Sequence, residues 1–280
     1  MRRAGFTLVE ALVALTLATI LVGLVTSVFI AQSDFYDDVT RRSRVHADAR
    51  SVVDVIAGDV RAATQGAFVV AGSGQLVVRV PLTVGVICAV SGSSVSTYLP
   101  RAQAGLDTAG VTGYAIRNGN GTWSWDFDDW NGLYDSDGTT IKDECGDIGM
   151  DTTGIPGSHF VALSGPGSGS DAMVGGALML HREIELRFAA SGLDPSQTGL
   201  FRGTYGSTLV EVASGLGSDA DFSYRLKGQS GYSSSVTGAN LADINAVRVT
   251  AQAVAAGGGG LDPYEYTITR DVPIRNERWN

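Results

Sequence analysis

The stretch DFDDWNGLYDSDGTTIKDE places Asp126, Asp128, Asp129, Asp135, Asp137, Asp143 and Glu144 within 19 residues. Calcium takes six to eight hard oxygen ligands, and carboxylates crowded on a glycine-bearing loop suit it. Set against an EF-hand loop, Asp135, Asp137, Gly138 and Glu144 fall at the third, fifth, sixth and twelfth places. The first place is then Leu133, whose side chain has no ligand atom. Two readings stand side by side. One is a calcium site drawing on Asp135, Asp137, Glu144, Asp126 and Asp128; the other is a solvated loop on an acidic protein.

Other chemistry is thinly represented. No G-x-S-x-G elbow, G-x-G-x-x-G, P-loop or C-x-x-C occurs, so the chain is expected not to be an enzyme and to require no cofactor, with calcium an optional ligand of the acidic loop. His46, His159 and His181 lie far apart, as do Cys88 and Cys145, too few and too scattered for an ordinary zinc site. A net charge of −9 with only two lysines, Lys142 and Lys227, offers no basic stripe, and direct nucleic-acid binding is not expected.

One further ionisable group stands where it costs most. From Phe6 to Ala31 the sequence FTLVEALVALTLATILVGLVTSVFIA runs 26 residues with a single ionisable side chain, Glu10. As a helix it spans about 39 Å, more than a hydrocarbon core of about 30 Å. In front stands MRRAG, with Arg2 and Arg3. A secretory signal also starts basic, but its apolar region covers about 7–15 residues. A plain anchor explains the length and leaves Glu10 without a purpose, because charged groups within lipid are usually paired and functional. A cut between Gly5 and Phe6 would create an α-amino group one helical turn from Glu10. Glu10 of one chain could then face that group on a neighbouring chain.

The elements that position these groups follow from periodicity. Val45, Ala49, Val52, Ile56, Val60 and Ala63 recur at spacings of three and four. With no glycine or proline from Leu24 to Ala57, one helix of nearly 60 residues is expected. Its first half, 6–31, is membrane-spanning and its second, 32–65, amphipathic. Asp37–Arg41, Asp38–Arg42 and Arg50–Asp54 are candidate i,i+4 ion pairs on its polar faces. After Gly66 the period becomes two. Strands are expected over 75–80, 84–90, 114–117, 122–127, 177–188, 209–213, 221–226, 246–254 and 264–272. The stretches 164–176, 228–240 and 257–260 read as surface loops. Glycine, at 37 of 280 residues, is about twice its usual share, which fits many tight turns. The fold class is α+β, a long helix packed on antiparallel sheet, with a β-rich domain over 66–280.

Gly5-Phe6-Thr7-Leu8-Val9-Glu10 ahead of a long apolar helix resembles the N-terminal signal of the type IV pilin superfamily. The resemblance implies a leader over 1–5, cleavage between Gly5 and Phe6 by a prepilin peptidase, and methylation of the Phe6 amine. It also implies that Glu10 docks the subunit into a growing filament. ADARSVVDVIAGDVRAAT, and later REIELRF, GLFR, TLVEVASGL, DFSYRL, DINAVRVTAQ and TITRDVPIRN, are similar in order and spacing to PilW-type minor pilins and J-type minor pseudopilins of type II secretion. The likeness covers 1–66 and 180–276, leaving a variable insertion at about 90–176. The first proline is Pro81, so the helix-bending proline of major pilins is missing, which with the length favours a minor subunit.

That family places the leader in the cytoplasm and the β-rich domain outside it, first as a single-pass protein of the cytoplasmic membrane and then in a pilus or pseudopilus. Expected partners are other minor and major pilins, the prepilin peptidase, the inner-membrane assembly platform and membrane lipid. Outside the cytoplasm Cys88 and Cys145 are free to form a disulfide, with two buried thiols as the alternative. Two functions are consistent with all this. One is a minor subunit that starts or caps filament assembly; the other is a membrane-anchored adhesion module whose middle region contacts a ligand.

Overall fold

A computed structural model describes residues 7–92, 94–100, 110–119, 121–127, 131–133, 139–164, 172–255 and 262–274. The helix α1 spans Leu8–Ala62, 55 residues, or about 82 Å. It stops three residues short of the expected 65 because Ala63 turns extended, with ψ of 148°. The stripe read from the sequence faces the core: Val45, Ala49, Val52, Ile56, Val60 and Ala63 are all buried. Asp38 holds Arg42 at 2.8 Å as expected and also takes Arg41 at 3.0 Å. Asp54, expected to bond Arg50, reaches instead to Arg270 at 2.8 Å.

Among the described residues thirteen strands form one antiparallel sheet. Its spine is a pair of long strands, β2 (Gln75–Ser91) and β8 (Ala177–Ala190), in register from Gln75 opposite Arg187 to Val86 opposite Ala177. The two strands expected at 75–80 and 84–90 are therefore one. Pro81 interrupts the pattern but not the strand, because it sits where the register shifts and no ladder N–H is required there. At one end of the spine β1 (Phe68–Ala71) pairs with β2 and β9 (Thr198–Thr204) with β8. The sheet continues there through β10 (Val210–Leu216), β11 (Asp221–Leu226), β12 (Ile244–Ala255) and β13 (Tyr264–Pro273). The second half of α1 lies across this lobe, burying Leu76, Leu186, Leu200, Phe222, Val247 and Val249.

The other end of the spine is built from the middle of the chain. Here β3 (Ser94–Tyr98), β4 (Gly113–Arg117), β5 (Trp123–Phe127), β6 (Asn131–Leu133) and β7 (Phe160–Ser164) extend the same sheet, joined by a helix α2 (Thr139–Asp147). A second core gathers Ile87, Leu99, Tyr114, Ile116, Leu178 and Leu180. The lobes are knit together by β5. Trp125 enters the core beneath α1 and donates its indole N–H to the Gln65 carbonyl at 3.2 Å. Gly66 lies under that ring: its φ is +79° and a Cβ there would sit 2.9 Å from Trp125 Nε1.

Two of the expected surface loops are largely exposed where described, and the fold anchors each at one place. In 228–240, the Val236 N–H donates to Ala71 at 2.9 Å and the segment covers β1. The start of 164–176 lies in β7, and 172–176 turns into β8. The stretch 257–260 lies outside the described residues.

Candidate functional site

Gly5 and Phe6 lie outside the described residues, which begin one residue beyond the expected cut. Thr7 is the N-cap of α1, in extended conformation, and its hydroxyl accepts the Glu10 N–H at 3.3 Å. Glu10 answers: its Oε2 accepts the Thr7 N–H and the Thr7 hydroxyl, each at 3.1 Å. This reciprocal arrangement is a capping box, which satisfies orphan donors of the first turn and sets a carboxylate at the positive end of the helix. Sequence reasoning sent Glu10 to a neighbouring chain and passed over this intrachain bond. The signal was there, since T-x-x-E is the spacing of such a box. Within one chain Glu10 is held to the N–H of Thr7, the first described residue.

Every residue from Thr7 to Asp37 is exposed, including Leu8 at 80% and Phe29 at 72%. So long an apolar surface, with no protein packed against it among the described residues, calls for lipid or other helices. Phe35 and Tyr36, both exposed and in edge-to-face contact with centroids 6.0 Å apart, follow the apolar run at the level where aromatic side chains favour a membrane interface.

Cys88 on β2 and Cys145 on α2 form a disulfide, their Cα atoms 4.7 Å apart. Both are buried beside Ile141 and Phe160, so the bridge fastens α2 onto β2 and β7. Of the calcium candidates, Asp128, Asp135 and Asp137 lie outside the described residues. Asp126 is placed in β5. Glu144 lies on α2 next to the bridging Cys145, and its Oε2 is enclosed without a hydrogen-bond partner. Among the described residues no group of three or more His, Cys, Asp and Glu is arranged to hold a metal.

The described polar contacts favour packing over catalysis. His46 lies tilted against Tyr266 with centroids 3.8 Å apart and meets the Tyr264 hydroxyl at 3.0 Å. His159 Nδ1 lies 3.1 Å from the Leu99 carbonyl. His181 is fully buried against Trp125; burial first, and then the charge of Arg79, hold its pKa down to about 3, so it stays neutral. A bidentate pair missed from the sequence ties α1 to β9. Arg202 donates from Nε and Nη2 to Asp59 at 2.8 and 2.9 Å, and that hydrogen bonding raises the arginine's pKa further. The partners are 143 positions apart, beyond any local pattern.

Residues 1–26 match the family described as the prokaryotic N-terminal methylation motif. With an apolar helix leading into antiparallel sheet, the motif marks a type IV pilin-like protein of α+β architecture. Its exposed apolar helix suits a membrane-anchored single-pass chain, and its motif is that of subunits processed by a prepilin peptidase and assembled with other pilins. Searches of curated proteins and of solved structures find no match to the chain.

Proposed function

We propose that the chain is a minor pilin or pseudopilin, a structural subunit that helps start or cap a type IV pilus or a type II secretion pseudopilus. One observation carries this reading. A single helix is fully exposed and apolar over its first half, bears the methylation motif at its start, and is cemented into a sheet over its second half. Such a helix can leave lipid only by entering a bundle of similar helices. The 280-residue length and the lack of a proline before Pro81 support a minor subunit rather than the repeated shaft protein. Its leader lies in the cytoplasm and its sheet domain outside, where the Cys88–Cys145 bridge is at home.

Processing tests this directly. Intact-mass spectrometry of the membrane-extracted protein is expected to find a chain starting at N-methylated Phe6, with Gly5→Val retaining the five leader residues. A start at Met1 in the parent, or a cut beyond the apolar helix, would overturn the reading.

We further propose that the acidic loop binds calcium, an idea favoured by the enclosed, unpartnered Oε2 of Glu144. At a hundredfold excess over Kd, binding to the folded state alone adds about 2.7 kcal/mol. Millimolar calcium should then raise the melting temperature of the solubilised chain by about 5–10 °C, and magnesium by less. The double variant Asp135→Ala, Asp137→Ala should lose the shift. Identical melting with and without calcium leaves a solvated acidic loop.

A further inference from the structure

On the sheet face turned away from α1, a groove of about 600 Å³ lies between β8 and the hairpin joining β9 to β10. That size falls within the range of about 300–1,000 Å³ common to small-ligand sites. Alternation places it there: Leu186 and Leu200 point into the core beneath α1, while Glu185, Arg187 and Phe201 line the groove. Glu185 stands opposite Gly203 on β9, where Leu209 packs against the bare backbone and forms part of the groove wall beside the carboxylate. The hairpin closes through Ser207 N–H to the Thr204 carbonyl at 3.0 Å, with Gly206 at φ +78°, and this tight turn sets Tyr205 at the rim.

The polar groups define what fits. Glu185 is only 3% exposed. Its Oε1 accepts Gln75 Nε2 at 2.7 Å and Arg187 Nη2, while Oε2 accepts no hydrogen bond from any described residue. Arg187 is about half exposed and keeps further N–H donors free of described partners. A cation entering here would meet Arg187, and an anion would meet Glu185. An uncharged ligand avoids both, provided that it donates an O–H to Oε2 and accepts from the guanidinium on neighbouring atoms. A vicinal diol does this. Phe201, Tyr205 and Leu209 require an apolar face on the same ligand. A pyranose ring supplies both features. We propose that this groove binds a neutral saccharide, a role separate from filament assembly and independent of how that question is decided.

Saturation-transfer NMR on the full chain tests this, in a phosphocholine detergent so that no sugar headgroup competes. The probes are methyl β-D-glucopyranoside, methyl β-D-galactopyranoside and methyl α-D-mannopyranoside. Transfer of saturation from the protein to the ring protons of at least one glycoside is expected. Binding should weaken about tenfold in Tyr205→Ala, which alters an exposed turn, and in Glu185→Gln, which preserves shape. Three results would overturn the proposal: no saturation of any glycoside by the folded parent, signals equal in parent and Tyr205→Ala, or a lysine amide binding in preference to the sugars. Should Glu185→Gln fail to fold, Tyr205→Ala alone decides.

Discussion

Glu10→Val is expected to insert into the membrane as well as the parent and to be largely missing from filaments. Insertion should survive because valine is cheaper in lipid than a carboxylate. Two stabilising roles are lost together. One is the capping box with Thr7, worth about 0.5–2 kcal/mol to the first turn. The other is the counter-charge that, on the proposed reading, Glu10 offers to a neighbouring chain's free amine. A charge-assisted hydrogen bond contributes about 1.5–3 kcal/mol, so incorporation should fall about 10- to 100-fold. Glutamine separates the roles, because it can occupy the same capping-box position without charge. If Glu10→Gln is excluded from filaments as fully as Glu10→Val, the charge is what assembly uses. If Gln assembles and Val does not, the cap is. Thr7→Val supplies the converse, keeping the charge while removing the hydroxyl. Quantitative immunoblotting of sheared filaments against membranes reads all three variants, and normal assembly of Glu10→Val would end the pairing idea.

Period and composition made the helix legible. Val45, Ala49, Val52, Ile56, Val60 and Ala63 were readable as one stripe because burial against a single sheet face imposes helical spacing. β11 was equally plain, since Phe222 and Tyr224 alternate with Ser223 and Arg225. The strands that escaped, β1, β3, β6, β7 and β9, are short or glycine-bearing. Gly199 and Gly203 lie in β9 because Glu211 and Leu209 approach the backbone too closely for a side chain. Nothing local announces that. Long-range pairings were illegible for the same reason: Asp59 with Arg202 and Asp54 with Arg270 join residues that only the folded sheet brings together. At the candidate site, Cys88 and Cys145 were the only two cysteines and so the only available bridge. The capping role of Glu10 was legible as T-x-x-E and was obscured by the stronger signal of a carboxylate in an apolar run.

Trp125→Ala is expected to destabilise the whole sheet domain rather than the middle lobe alone. The middle of the chain looks like an insertion in sequence, yet β4 pairs with β8 along the spine and Trp125 fills the core under α1. Removing a buried tryptophan costs about 3–5 kcal/mol. It also strips the Gln65 carbonyl of its donor at the point where α1 hands over to β1. For a domain of this size the melting temperature should drop by about 6–20 °C as one cooperative transition. Cys145→Ser provides the contrast. It opens a loop that spans 57 positions, for which the chain-entropy model gives about 4 kcal/mol, but the side chains it frees belong to the small cluster around α2. Hydrogen exchange should therefore rise around α2, β3 and β7 in Cys145→Ser, and across β2, β8 and β12 in Trp125→Ala. A Trp125→Ala chain whose β12 amides exchange as slowly as the parent's would show that the lobes are energetically separate. The same physics limits how an adhesion role can be tested. Excising 90–176 would remove Trp125 and half of the spine's partners, so lost piliation in that deletion would report unfolding. Substitutions at exposed positions of this lobe, such as Asp143, Asp147 and Thr153, spare the buried side chains and ask the question cleanly.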